Sequence, residues 1–349
     1  MDWISRLRQP GVSAALGAAL LFGAGTPLAK LLLNTVSPWL LAGLLYLGSG
    51  LGLSLYRFLN RAPAVKLPRA ELLWFTGAIV AGGIVGPVLL MLGLTGMPAS
   101  GASLLLNAEG VFTALLAWFV FKENFDRRIA FGMLAIVAGA AVLSWNGDAG
   151  FTEMWPSFAV LGACLAWGID NNLTRKVSLS DATWIASIKG LVAGTVNLVI
   201  ALLMGATWPI ISNVLSAMTI GLFAYGVSLS LFVLALRHLG TARAGAYFSV
   251  APFFGAMLAV LMGEVVTMPL LAAGVLMAIG TWLHLTERHQ HKHIHEEMMH
   301  DHDHAHDEHH QHAHDSPVAP GVKHSHSHRH VPLTHVHLHF PDVHHRHRH

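Results

Sequence analysis

The sequence predicts an all-α integral membrane protein: ten transmembrane helices arranged as two inverted five-helix repeats, followed by a disordered histidine-rich tail. Three observations carry this. Residues 1–286 hold only 15 Lys and Arg and 10 Asp and Glu, too few charges to cover a water-facing surface of that size, whereas a bilayer needs no such cover. The basic residues fall in alternate connections between apolar segments. The chain also matches itself, at shifts of 145 and then 141 residues.

A helix needs roughly 20 apolar residues to cross the hydrocarbon. Segments near that length occupy 12–33, 38–58, 71–94, 100–121, 128–146, 156–175, 181–204, 214–237, 241–262 and 268–286. Arg6 and Arg8 precede the first, which is longer than the apolar core of a signal peptide and so reads as a spanning helix. Turn chemistry separates the segments: Ser37-Pro38, Ala62-Pro63, Met97-Pro98, Asn146-Gly147-Asp148, Trp208-Pro209 and Met268-Pro269. Trp39, Trp74, Trp145, Trp155, Trp184, Trp208 and Trp282 lie near segment ends, as an interfacial aromatic belt requires.

Lys and Arg occur at the N-terminus and in the second, fourth, sixth and eighth connections: Arg57, Arg61, Lys66 and Arg69; Lys122, Arg127 and Arg128; Arg175 and Lys176; Arg237 and Arg243. The third, fifth, seventh and ninth connections carry none. This alternation predicts both termini in the cytoplasm, in the cytoplasmic (inner) membrane of a bacterium. The spans carry a net +5 and the tail −3, with no clustered basic surface of the kind nucleic acid needs. The single cysteine, Cys164, excludes a disulfide framework and a thiolate metal site.

The internal match pairs residues 16–23 with 161–168, Trp39 with Trp184 and Lys30 with Arg175 at a shift of 145. Residues 112–123 pair with 253–264 at a shift of 141. Five spans per copy is an odd number, so the second copy enters the membrane upside down. Inverted repeats place a binding site near the midplane and permit alternating access. The predicted division is 1–146 for the first repeat, 147–286 for the second and 287–349 for the tail.

On these residues the chain resembles the drug/metabolite transporter superfamily in its ten-helix form with two EamA-type repeats. The resemblance covers residues 12–286. It rests on the Gly-rich first helix of each repeat (17–27 and 162–172) and on Phe112 to Glu123 and Pro252 to Glu264 with the glycines that follow. It implies transport of a small solute and no enzyme activity. The family's proline in the fourth helix of a repeat is present as Pro252, while the first repeat reads Glu109-Gly110-Val111 there. The tail is similar to that of a bacterial branch proposed to export nickel or cobalt.

Ionisable groups at membrane depth are costly and suggest function. Glu109, ten residues into the fourth span, with Asn107 two before it, is a candidate for binding a cation or exchanging a proton. Asp170 with Asn171 and Asn172 forms a candidate oxygen-rich cation site, and Lys189 lies at a depth that lets it pair with Asp170 instead. Lys30 is expected to snorkel to the interface, Glu123 and Glu264 to serve the helix ends, and Gly17, Gly23, Gly48, Gly52, Gly82, Gly83 and Gly86 to allow close packing.

The tail holds 23 of the 25 histidines. His300, His302, His304, His306, His309 and His310 alternate with or neighbour acidic residues; His324, His326, His328, His335, His337 and His339 alternate with polar and apolar ones. Spacing of two lines imidazoles along one side of an extended segment, and neutral imidazole with carboxylate suits zinc, nickel, cobalt or copper(II). Low complexity predicts disorder without metal.

The combined expectation is a secondary transporter exporting a small solute, with divalent nickel, cobalt or zinc first in line, driven by proton exchange, seated in the lipid bilayer and compatible with a homodimer. An amino-acid or metabolite exporter whose tail senses or buffers metal is the alternative; a metal-storage or receptor protein is the alternative from another class. No span carries the His-Glu-x-x-His spacing of a metalloprotease.

Overall fold

The computed structural model describes residues 10–65, 67–121, 127–144, 151–177, 180–239, 247–285, 290–295, 298–304, 324–330 and 333–338. The chain divides into a helical unit, Met1–Glu287, and a tail unit, Arg288–His349.

Among the described residues the helical unit consists of ten helical segments. They are α1 (Pro10–Leu32), α2 (Pro38–Leu59), α3 (Arg69–Gly96), α4 in two pieces (Ala99–Leu105 and Ala108–Phe121) and α5 (Arg127–Ser144). Then follow α6 (Phe151–Thr174), α7 (Ala182–Leu203), α8 in three pieces (Ile211–Gly221, Leu222–Val227 and Ser228–Leu239), α9 (Ala251–Leu261) and α10 (Met268–Leu285). Six of the helices are long and apolar enough to cross a membrane by themselves, and shorter apolar helices accompany them. Large side chains such as Phe58, Leu203, Val265 and Leu261 stand exposed on the helical unit, the surface that lipid covers in a multi-pass protein.

The packing follows the repeat. Helix α3 lies on α6 as α8 lies on α1, and α4 lies on α6 as α9 lies on α1; α2–α7, α4–α9 and α5–α10 pair a helix with its own repeat mate. Swapping the two repeats leaves this pattern unchanged, as an inverted duplication requires.

Glycine makes the central crossings possible. A Cβ on Gly48 would sit 2.1 Å from the Met218 carbonyl oxygen, and one on Gly221 would sit 1.9 Å from that of Leu45. Helices α2 and α8 therefore touch backbone to backbone, as small residues permit in membranes. Gly43 and Gly50 do the same against α7.

Both third helices of the repeats contain a π-helical stretch, Ile79–Val85 in α3 and Leu222–Val227 in α8. The two start 143 residues apart, between the two shifts of the sequence match. Such stretches loosen the i→i−4 ladder and accompany functional sites. Helix α4 breaks at Leu106 and Asn107, and a turn at Ser249 and Val250 precedes α9.

At the α6–α7 connection Asp181 caps α7, its Oδ1 accepting from Trp184 N–H at 2.9 Å and from Arg57 at 2.7 Å. Burial pushes this carboxyl up, but the Thr183 hydroxyl, the Trp184 amide and Arg57 outweigh it and hold it below its ordinary value. A depressed folded value means that the stabilisation is complete above the unfolded value of about 4 and fades as pH falls through the folded one. Asp181→Ala is expected to cost about 1–2 kcal/mol at neutral pH, read as a lower melting temperature, with the gap to wild type shrinking below about pH 4.

In the tail unit β1 (Gln290–His295) pairs antiparallel with β4 (Leu333–Leu338), and β2 (Met298–His304) with β3 (His324–His330). Histidine opposes histidine at 291–337, 293–335, 300–328, 302–326 and 304–324. Isolated two-stranded ladders are marginal in water. His306, His309, His310 and His339 lie outside the described residues, as does Glu123.

Candidate functional site

The π-helical stretch of α3 is the centre of the candidate site. Gly82 stands midway along Arg69–Gly96, and its carbonyl accepts from Tyr46 Oη of α2 at 2.7 Å and from Trp167 Nε1 of α6 at 2.9 Å. The next carbonyl, of Gly83, accepts from Asn197 Nδ2 of α7 at 3.1 Å. The loosened ladder of a π stretch leaves carbonyls free for such side-chain donors. Asn197 is fully buried and its Oδ1 has no hydrogen-bond partner. Among the described residues this is one of three such buried atoms.

Against Gly82 lies Asp170 of α6. A Cβ on Gly82 would fall 1.8 Å from its Oδ2, so only glycine lets the carboxylate approach the middle of α3. Lys189 Nζ of α7 donates to both Asp170 oxygens at 2.5 Å, and Thr174 Oγ1 donates to Oδ1 at 2.9 Å. A carboxylate with both oxygens engaged by an ammonium is a complete, charge-assisted pair. Beside it, Tyr46 packs its ring 5.4 Å from that of Tyr225 in the π stretch of α8, and Phe22 of α1 lies 5.9 Å from Tyr225. Both π stretches thus meet one aromatic cluster.

The other candidates sit apart from this pair. Glu109, half-buried at the start of the second piece of α4, accepts from Asn171 Nδ2 at 2.8 Å. Asn171 also donates to Thr113 Oγ1 at 3.3 Å, and Asn172 donates to the carbonyls of Gly168 and Thr113. These amides bind α6 to α4 with their N–H groups. Asn107 turns the other way, toward α10: its Nδ2 donates to the Leu104 carbonyl at 2.9 Å, and its Oδ1 accepts from Thr281 at 3.3 Å.

The sequence offered Glu109 with Asn107 as one candidate and Asp170 with Asn171 and Asn172 as another; in the structure Asp170 pairs with Lys189, Glu109 joins Asn171, and Asn107 joins Thr281. Among the described residues no group of three or more His, Cys, Asp and Glu side chains is placed to hold a metal. Lys30, expected to snorkel, donates to the Leu94 carbonyl and, at 3.0 Å, to that of Met97 at the end of α3. Tyr46, Trp167, Asn197 and Tyr225 were missed by sequence reasoning. The Gly82-Gly83 pair in mid-span was the available signal.

A ten-helix inverted repeat with a charge pair and aromatic rings set against the middle of α3 is the architecture of membrane transporters. The chain belongs to the EamA-like transporter family, whose model matches residues 9–145 and again 154–286. It is 26% identical over 292 residues to an uncharacterized transporter of Methanothermobacter thermautotrophicus, covering 78% of this chain and 85% of that one. It is 29% identical over 210 residues to a protein of Salmonella typhimurium described as a probable amino-acid metabolite efflux pump (54% and 68% covered). A stretch of 103 residues is 36% identical to purine permease 2 of Arabidopsis thaliana, covering 27% of this chain and 29% of the permease. A solved crystal structure, 19% identical, superposes with a TM-score of 0.60 over 78% of this chain and 95% of its own. The protein is a multi-pass membrane transporter of small solutes and not an enzyme.

Proposed function

We propose that the chain exports a small organic solute carrying both an amine and an acid group, of the amino-acid metabolite class, by alternating access of its two repeats. The observation that supports this is the Lys189–Asp170 pair, with Nζ 2.5 Å from each carboxylate oxygen, seated against the middle of α3. When such a pair parts, it offers a carboxylate to a substrate ammonium and an ammonium to a substrate carboxylate. Tyr46 and Tyr225 supply the apolar wall. The same pair disfavours a divalent cation at this point, since the resident ammonium repels it and occupies its ligands. The names of the Salmonella and Arabidopsis relatives both refer to organic solutes. Glu109 is the proposed proton carrier, because an ionisable group at membrane depth suggests function and Asn171 holds it in place.

Export of nickel, cobalt or zinc is the second reading. The tail favours it: five cross-strand histidine pairs stand in register at alternate positions, and opposed residues of an antiparallel pair bring their Cβ atoms within about 5.5 Å. In the first reading the tail only buffers or senses metal.

Proteoliposomes carrying the full chain, an imposed proton gradient and a panel of amino acids, purines, nickel, cobalt and zinc decide between them. Saturable flux of an amine-acid solute, at least about tenfold lower in Glu109→Gln, is the expected result. Flux of a metal alone would overturn the first reading. Ending the chain after Glu287 is expected to leave solute flux within about twofold, since the helical unit is separate, and to remove metal binding measured by equilibrium dialysis.

A further inference from the structure

The turn between α3 and α4 is gripped from both sides by charges belonging to other helices. From α1, Lys30 Nζ donates to the Leu94 and Met97 carbonyls, where the last carbonyls of α3 lack partners within their own helix. From the turn after α9, Glu264 Oε1 accepts from Ala99 N–H at 2.7 Å and Oε2 from Ser100 N–H at 2.8 Å. These are the first two amides of α4. A cation at a helix C-terminus and an anion at a helix N-terminus both complement the helix dipoles. Each carboxylate oxygen takes one N–H, which makes the cap charge-assisted and bidentate.

Gly263, at a φ of 105°, turns the chain after α9 and delivers Glu264 to this position. The Ala99 and Ser100 amides, the Ser100 hydroxyl and Lys30 overcome the effect of burial and hold the Glu264 carboxyl below its ordinary value, so it is a carboxylate at neutral pH.

This clasp spans the boundary between the repeats: Lys30, Ala99 and Ser100 belong to the first, Glu264 to the second. It lies on the face opposite the basic connections. Directly beneath it α1, α4 and α9 converge in a tight seam. A Cβ on Gly255 would fall 2.7 Å from both the Gly23 carbonyl oxygen and Ser103 Oγ. Ser103 is buried there and its hydroxyl has no hydrogen-bond partner. On this face the two repeats meet through close packing underneath and a partly exposed polar clasp at the rim. Alternating access requires contacts between the repeats on one face to break in each cycle.

We propose that Glu264 and Lys30 are gate-positioning residues: their grip on the α3–α4 turn holds this face closed, and its release opens the solute path there. The seam has no hydroxyl hydrogen bond to break at Ser103, and the rim contacts sit where water can replace them. Both features suit a closure that is made and undone repeatedly.

The test uses the full chain with its single cysteine removed (Cys164→Ala) and a reporter, Ser103→Cys, placed in the seam. A membrane-impermeant maleimide is applied from the face opposite the basic connections. Glu264→Gln, which keeps one acceptor and loses the charge, is expected to raise the labelling rate about tenfold, equivalent to ~1.4 kcal/mol in the closed–open equilibrium. Lys30→Met is expected to act in the same direction, and Glu264→Asp to restore much of the slow labelling. The increase must be confined to that face and occur without a matching fall in melting temperature. Labelling unchanged in both variants, or raised equally from the two faces with a collapsed melting temperature, overturns the proposal. Solute flux plays no part in the readout, so the result stands whatever the substrate.

Discussion

Lys189→Met is expected to abolish solute flux and to lower stability by about 3–5 kcal/mol, the cost of leaving one buried charge without its partner. The Asp170 and Lys189 side chains are 9% and 16% exposed, and Thr174 is a further donor to Asp170. Removing the ammonium leaves the carboxylate against Gly82 without its ion-pair partner. Asp170→Asn leaves the opposite charge stranded and is expected to behave alike. The double variant Asp170→Asn/Lys189→Met separates structure from recognition, because replacing both members of a buried pair is often near neutral for stability. The expected result is a melting temperature restored to near wild type with flux still absent. Flux that returns together with stability would mean that the pair serves only to neutralise itself, and the proposed recognition of amine and acid groups would fall.

The helices and their inversion were legible because hydropathy and basic-residue alternation are one-dimensional signals. The tail's 23 histidines and the Phe112–Glu123 match to Phe253–Glu264 are equally visible in the chain. Depth along a span is nearly as readable, which is why an Asp170–Lys189 contact stood among the alternatives. What the chain did not reveal is lateral neighbourhood. Asn107 and Glu109, two positions apart, read as one candidate, yet the break at Leu106 and Asn107 turns Asn107 to α10 while Glu109 faces α6. Tyr46 and Trp167 read as ordinary apolar-helix aromatics, and only the freed Gly82 carbonyl makes both of them donors at one point. Lys30 and Glu264 were read as separate end-of-helix charges because 234 positions divide them. A π-helical stretch has no residue code of its own: Ile79–Val85 holds a glycine pair, and Leu222–Val227 does not.

Gly82→Ala carries the second large expectation, since one methyl tests whether the approach of α6 to α3 is essential. In an unconstrained helix the change would stabilise by about 1 kcal/mol through propensity. Here the new Cβ would lie 1.8 Å from Asp170 Oδ2, 2.3 Å from its Cγ and 2.5 Å from its Cβ. Rotation of the carboxylate relieves the first contact and not the last, because the Asp170 Cβ moves only with α6 itself. Overpacking of this kind costs about 1–3 kcal/mol, and the displacement also breaks the Trp167 bond to the Gly82 carbonyl and shifts Asp170 from Lys189. The expected outcome is a melting temperature several degrees lower and flux reduced at least about tenfold, the equivalent of ~1.4 kcal/mol. Gly110→Ala is the matched control: a Cβ there meets nothing within 4 Å, so flux should hold and stability should rise slightly. Equal, wild-type flux in both alanine variants would show that the carboxylate does not need its seat against the middle of α3, and the candidate site would have to be sought around Glu109 and Asn171 instead.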